Sequence, residues 1–309
     1  YRQSYARARR LKTAPAGSRL HRAITFKLGR TPRDLQLCEP THGGLLVPRG
    51  LRRLVAAPYI APAAAGLPAA QDLPELRPYQ QAALAELSEM AEGILSLATG
   101  GGKTAVAKHL MHHLRVPTLI VVPTLALLQQ WRDELGQHWP AELIGVTGGG
   151  QDGAGRPIQI ASVATLARRG AVLEPGGLLL LDECHHAMAP TWRTVLRACE
   201  DTAAHVFGLP ATPWRNGLDR QALAALIGPV VEVARDDVLN AGGIVPFEVR
   251  RLDTGFLGQA DPTLGFSSAI AELVHDQRRN ELIIETARWE QGALTLTLIL
   301  TDRVAHAEY

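Results

Sequence analysis

The rhythm of apolar and polar positions changes at about residue 76. Upstream, "RDLQLCEP" and "GGLLVPRGL" read as short strand-like pieces around a Gly-Gly turn, so residues 1–56 are expected to form a small α+β unit. Residues 57–75 are alanine- and proline-rich without periodicity and read as a linker. The segment "RPYQQAALAELSEMAEG" is expected to be helical after Pro78, a residue suited to the first helical turn. Short apolar runs then alternate with helical segments. "GILSLAT", "PTLIVVP", "AELIGVTG", "PIQIAS", "GGLLLLDE" and "AHVFGLPATP" predict strands; "KTAVAKHLMHHL" and "LALLQQWRDELGQHW" predict helices between them. Strands this apolar are buried on both faces, which implies crossover units and a parallel sheet covered by helices.

The fold class that follows is α/β. The main domain is expected over 76–230 and a less regular connecting region over 231–289, with "DQRRNELIIETARW" as a helix. Residues 290–309, "ALTLTLILTDRVAHAEY" at their core, read as a buried strand and the first turns of a helix, the start of a second α/β domain. Hydrophobic content of 46% and charged content of 20% describe a globular chain. No apolar run reaches the ~20 residues that span a bilayer, which excludes a membrane protein of the helical kind. Cys38, Cys184 and Cys199 are odd in number and widely spaced, arguing against a disulfide scaffold and for a reducing, cytoplasmic setting. The first residue is Tyr1, so the chain is expected to be a piece of a longer protein, with room for an upstream fused domain.

A net charge of +2 decides little, but its distribution is uneven: residues 1–30 hold nine Lys or Arg and no acid. That stretch reads as a solvated leader, a phosphate-contacting arm or a transit peptide, and the sequence leaves the three open. Lysine is scarce, occurring only at 12, 27, 103 and 108, so its placement carries information.

Two motifs carry chemistry. In "LATGGGKT" (97–104), Gly100, Gly101 and Gly102 follow a strand and open a helix, so backbone N–H groups and the positive helix end face an anion. Lys103 can reach outer phosphates and the Thr104 hydroxyl can bind Mg²⁺. Leu97 stands where the strict pattern has glycine. In "LLLLDECHHAM" (178–188) a buried strand ends in Asp182 and Glu183. Such a pair suits a metal-holding carboxylate and a water-activating one opposite a phosphate loop, with His185 facing the sheet edge as a relay. Zinc held by Cys184, His185 and His186 is the rival, weakened because consecutive residues rarely converge on one ion. His109, His112 and His113 read as a polar helix face or, at the same spacing, a metal site. Trp131, Trp139, Trp192 and Trp214 read as partial core or as base-stacking rings, and Cys199 as a small buried hydrophobe. The loop "TGGGQDGAG" (147–155) follows a strand end and is a candidate for brushing nucleic acid.

The ordered set "LRPYQ" (76–80), "ATGGGKT" (98–104), "VVPTLALLQQW" (121–131), "ASVATLAR" (161–168), "LLDECHH" (180–186) and "GLPATPWR" (208–215) resembles the first RecA-like domain of superfamily 2 helicases. The "DECH" box is of the DExH type, and "LRPYQ" with "PATP" looks most like the XPB-like and restriction-enzyme translocase branch. The resemblance implies a RecA-like P-loop domain over 76–230 and the beginning of a second RecA-like domain from 290. It implies ATP and Mg²⁺ as cofactors, with Arg77 and Gln80 at the adenine and Thr99, Gly100, Gly101, Gly102, Lys103 and Thr104 around the phosphates. Thr104 and Asp182 would hold Mg²⁺, and Glu183 would activate water. Ala211 and Thr212, with His185, would couple hydrolysis to strand movement, and Thr124 and Thr165 would lie near a nucleic-acid backbone. The implied function is an ATP-driven nucleic-acid motor, helicase or double-strand translocase, with DNA ahead of RNA as partner. A small-molecule P-loop kinase and an ATP-gated DNA-binding module without motor activity are the alternatives. Lacking most of a second RecA-like domain, with its arginine finger, this piece is expected to bind ATP but hydrolyse it poorly.

Overall fold

The computed structural model describes residues 25–27, 34–36, 39–41, 44–46, 66–211, 217–244, 249–258, 266–290, 298–301 and 304–307. The chain divides into two units, Tyr1–Pro246 and Phe247–Tyr309.

In the first unit, two small antiparallel pairs come first: β1 (Thr25–Lys27) with β2 (Asp34–Gln36), and β3 (Glu39–Thr41) with β4 (Gly44–Leu46). The rest of the 1–56 region lies outside the described residues. Helix α1 (Pro78–Ser88) then leads to β5 (Glu92–Ser96), α2 (Lys103–Leu114), β6 (Thr118–Val122) and α3 (Leu125–Leu135). β7 (Ile144–Gly148), β8 (Gln151–Asp152), β9 (Ile158–Ser162), α4 (Val163–Arg169) and β10 (Gly177–Asp182) follow. The series ends with α5 (Pro190–Ala198), β11 (Ala203–Leu209), α6 (Gly217–Leu226), β12 (Val230–Glu232) and α7 (Arg235–Asn240).

Strands β5 to β12 form one eight-stranded sheet in the order β12-β5-β11-β10-β6-β9-β7-β8. Every pairing is parallel except β7–β8, so the all-parallel expectation is corrected at that edge. β8 is only two residues long and follows its partner through Gly149 and Gly150, both with positive φ; that short connection permits only an antiparallel return.

The four leucines of β10 show why the run is unbroken. Leu178 and Leu180 join the core under α1, α2 and α3, with Leu87, Met111 and Leu135. Leu179 and Leu181 join the core under α4, α5 and α6, with Leu166, Trp192 and Leu223. Side chains alternate along a strand, so a central strand covered on both faces must be apolar at every position. β6 repeats this, with Ile120 and Val122 on one side and Leu119 and Val121 on the other.

The linker expected over 57–75 is corrected in its described half. Residues 66–75 have no regular structure, yet they lie strapped along α2 and the end of α3. Leu67 is buried and its N–H donates to Arg115 O (2.7 Å). Ala70 N donates to His112 Nδ1 (3.1 Å), Gln71 N to His138 O (2.9 Å), and Trp139 Nε1 to Pro68 O (3.0 Å). His109 Nε2 meets Pro74 O at 2.9 Å. The α2 histidines thus do more than face solvent: two of them bind the strap's backbone. Alanine and proline here pass for linker because the strap's bonds use main-chain groups, which composition does not report.

In the second unit α8 (Phe266–His275), α9 (Gln277–Glu290) and α10 (Val304–Ala307) are helical. Asn280, 2% exposed, ties them together: its Nδ2 donates to Val274 O (2.8 Å) and its Oδ1 meets His306 Nε2 (2.9 Å). Residues 291–297, most of the strand expected in "ALTLTLIL", lie outside the described residues. The following Leu298 and Leu300 are exposed and outside any strand, not buried as expected. No helix among the described residues is long and apolar enough to cross a membrane.

Candidate nucleotide site

After β5 the chain turns through Leu97, whose side chain is buried. A Cβ on Gly101 would come within 2.8 Å of Leu97 Cγ, so the leucine that breaks the strict motif forms the packed floor of the loop. Gly100 (φ 81°) and Gly102 (φ 89°) are left-handed, and a Cβ on Gly102 would collide with Gln80 Nε2. From below, α1 grips the loop: Tyr79 Oη (2.9 Å) and Gln80 Nε2 (2.7 Å) both donate to Gly101 O. Gln80 Oε1 accepts from Arg77 N (2.9 Å), so the buried Gln80 side chain is engaged at both ends. Arg77 is exposed, and its Nη1 donates to Tyr79 Oη at 3.4 Å.

Helix α2 begins at Lys103 itself, with Thr104 half-buried in its first turn. Lys103 Nζ donates to Leu97 O (3.2 Å) and Ala211 O (3.4 Å), and Thr99 Oγ1 donates to the same Ala211 O (2.8 Å).

β10 delivers the acidic pair. Asp182 Oδ1 accepts from Glu183 N (3.0 Å) and Oδ2 from Trp131 Nε1 on α3 (2.7 Å). Glu183 takes a left-handed backbone (φ 53°), a conformation that costs a non-glycine residue on the order of 1 kcal/mol or more and turns the chain sharply into a 3-10 turn at Cys184–His186. Its carboxylate lies close enough to the Ala211 backbone N–H for that dipole to hold its pKa down, and 3.2 Å from His185 Nδ1. The phosphate loop and the acidic pair therefore meet beside one peptide: Ala211 offers its carbonyl to Thr99 and Lys103, and its N–H lies near Glu183.

The charges are held partly out of water. Burial lowers the Lys103 pKa, opposed by the nearby carboxylates of Glu183 and Asp182. Burial raises that of Asp182, opposed by the Trp131 and Glu183 N–H donors and by Lys103. Burial also raises that of Glu183, and the neighbouring Asp182 carboxylate pushes the same way. Two desolvated carboxylates face one desolvated ammonium, an arrangement that a divalent cation would relieve. Thr104 and Asp182 are oxygen donors of the kind Mg²⁺ takes, and the glycine loop leaves no side chain where phosphates would sit.

The DECHH cluster does not converge. Cys184 is fully buried, its Sγ against Gly208, where a Cβ would approach it to 2.7 Å, and burial keeps its thiol pKa well above the usual range. His185 and His186 instead lie ring against ring, 4.1 Å between centroids. Among the described residues no three His, Cys, Asp or Glu side chains are grouped to hold a metal.

Thr124 is exposed and caps α3, its Oγ1 accepting from Leu127 N (3.3 Å). Thr165 is buried, its hydroxyl accepting from Ser162 Oγ (2.8 Å), so it presents no hydroxyl to solvent. Thr212 and Trp214 lie outside the described residues. Trp131, Trp139 and Trp192 are buried at 2–3% exposure, which rules out base stacking in this conformation. Sequence reasoning missed Tyr79 under the loop and the role of Trp131. The available signal was position: Tyr79 adjoins Gln80, and Trp131 sits seven residues after the cap of α3, on the face that also buries Leu128.

Residues 73–215 match the family model described as the type III restriction enzyme res subunit. The chain is 31% identical over 185 residues to the DNA 3'-5' translocase XPB2 of Sulfurisphaera tokodaii, covering 60% of this chain and 42% of that protein. It is 32% identical over 182 residues to the DNA 3'-5' helicase XPB of Kineococcus radiotolerans, covering 55% of this chain and 32% of that one. Thus it spans less than half the length of these curated relatives. The crystal structure of the UvsW helicase from bacteriophage T4 superposes with a TM-score of 0.52 at 18% identity, over 68% of this chain and 90% of that chain; it speaks for the fold alone. With six motifs in order on a mostly parallel sheet and these matches, residues 73–215 are similar to the superfamily 2 helicases and translocases, most of all to the XPB-like or restriction-enzyme-like branch.

Proposed function

We propose that the protein is an ATP-hydrolysing nucleic-acid motor, a helicase or double-strand translocase, acting on DNA ahead of RNA. The observation that carries this reading is the convergence on Ala211: the lysine of the glycine loop bonds its carbonyl and the carboxylate of the DExH turn lies beside it, at the mouth of the "PATP" segment. In this reading the loop amides and Lys103 bind the β- and γ-phosphates, with Thr99 at their edge and Arg77 and Gln80 toward the adenine. Gln80 must release Gly101 O to do so. Thr104 and Asp182 would hold Mg²⁺, which would supply positive charge to offset the negative charge of the phosphates. Glu183 orients the attacking water, its raised pKa suiting it to take up a proton. A nucleotide drawing Lys103 off Ala211 O would free the "PATP" segment, and His185 beside Glu183 would report that change toward Ala211 and Thr212. Thr124, exposed at the start of α3, is the candidate backbone contact. A small-molecule kinase or an ATP-gated binding module is not favoured, because residues 73–215 match a restriction-enzyme motor family and the relatives are named as DNA translocases or helicases. A cytoplasmic setting belongs to the same reading and rests on the dispersed, buried cysteines.

Phosphate release tests it, measured with single-stranded DNA, duplex DNA or RNA added. Stimulation by DNA is expected, and Glu183→Gln should abolish turnover while retaining nucleotide binding. Phosphate transfer to a small molecule with no response to nucleic acid would refute the motor reading.

A further inference from the structure

A buried indole N–H needs a partner, and most find a backbone carbonyl, as Trp139 does at Pro68 O. Trp131 instead donates to a carboxylate, Asp182 Oδ2, from another element and fifty-one positions away in sequence. Its ring is 2% exposed, so it stacks on no ligand. The two oxygens of Asp182 are thereby held separately: Oδ1 by the Glu183 amide, which the strand end fixes, and Oδ2 by a side chain of α3. With only the first donor the carboxylate could swing about its soft terminal torsion. With both, its plane is set and each oxygen keeps a lone-pair direction for a further partner.

We propose that Trp131 is a positioning residue for Asp182: its indole N–H fixes the carboxylate in the orientation that receives Mg²⁺ with the nucleotide. This rests on the nucleotide-site reading above. Groups that orient a metal-binding carboxylate typically change metal affinity by roughly 10–100-fold when removed. Nothing about the packing of α3 demands a tryptophan nitrogen there; a phenyl ring would fill much of the same apolar space beside Leu128 and Leu135.

The test measures binding of adenosine 5′-(β,γ-imido)triphosphate to the 309-residue protein by calorimetry, with Mg²⁺ and with chelator, for wild type, Trp131→Phe, Asp182→Asn and the double variant. In wild type, Mg²⁺ tightens binding. In Trp131→Phe the metal-free affinity should stay within about twofold, while most of the Mg²⁺ enhancement, about tenfold, is lost. Adding Trp131→Phe to Asp182→Asn should change nothing further, because the tryptophan acts through the aspartate. Should Trp131→Phe not fold, β-(3-benzothienyl)alanine at 131 keeps both rings and lacks only the N–H, and carries the same expectation. An undiminished Mg²⁺ enhancement overturns the proposal, and so does an equal loss with and without metal, which marks a packing role. Wild-type protein that binds no nucleotide overturns the site reading itself, and this inference with it.

Discussion

Asp182, Glu183 and Lys103 are charged groups that the fold holds partly dry, and their stability contributions follow from the direction of each shift. A carboxylate whose folded pKa lies above its unfolded one stabilises the fold most below the unfolded value. That contribution is lost as pH rises through the folded value. Lys103 is shifted down, so its contribution is present above its unfolded pKa and lost as pH falls through the folded one. Near neutral pH all three therefore weaken the fold. Glu183→Gln and Asp182→Asn are each expected to melt above wild type at pH 7–8, and the gap should close as pH falls toward about 3, where the carboxylate is protonated in both states. Thermal melts across that range check this; a gap that persists at low pH would mean the gain comes from packing. At Gly102 the demand is steric: Gly102→Ala would force a methyl onto Gln80 in a left-handed backbone, and nucleotide affinity should fall by tenfold or more in a titration.

At the scale of elements, most of the proposed site groups sit where a strand stops and the backbone turns. β5 ends into the glycine loop, β10 into Asp182 and Glu183, β11 into Ala211, and β6 into Thr124. A parallel sheet gathers the carboxyl ends of its strands on one edge, so motifs far apart in sequence share one site. The strap at 66–75 is the element that composition hid. It binds α2 and the end of α3 on the apolar side of Leu67, and α1, which grips the loop, follows directly. Leu67→Ala should destabilise the first unit by about 2–3 kcal/mol, measured by urea unfolding. Val172→Ala, at a position 69% exposed, should change it by less than about 0.5 kcal/mol.

At the scale of the molecule, the first unit has two cores that share one sheet, and β10 feeds both from opposite faces. Damage to that strand therefore cannot stay local. Leu180→Ala, at a fully buried position, is expected to cost about 3–5 kcal/mol. That is a large share of the ~5–15 kcal/mol typical of a domain. Circular dichroism at 222 nm and nucleotide binding should be lost together at a lower urea concentration; binding lost with the helices intact would show that the site melts on its own.

The strands and helices of the α/β domain were legible because burial on two faces writes itself as unbroken apolar runs, and burial on one face as helical spacing. The glycine loop, Lys103 and the acidic pair stood out in the sequence because the phosphate chemistry proposed for them needs those residue types at fixed spacing. Tertiary structure alone decided which partners they meet. Leu97 as the floor of the loop, Gln80 and Tyr79 bonded to Gly101, Trp131 on Asp182, Thr165 turned inward and the strap along α2 are all contacts between distant segments. Hydrogen bonds to backbone atoms, and side chains aimed across a sheet edge, leave no period or composition behind them, so only the folded arrangement could show them.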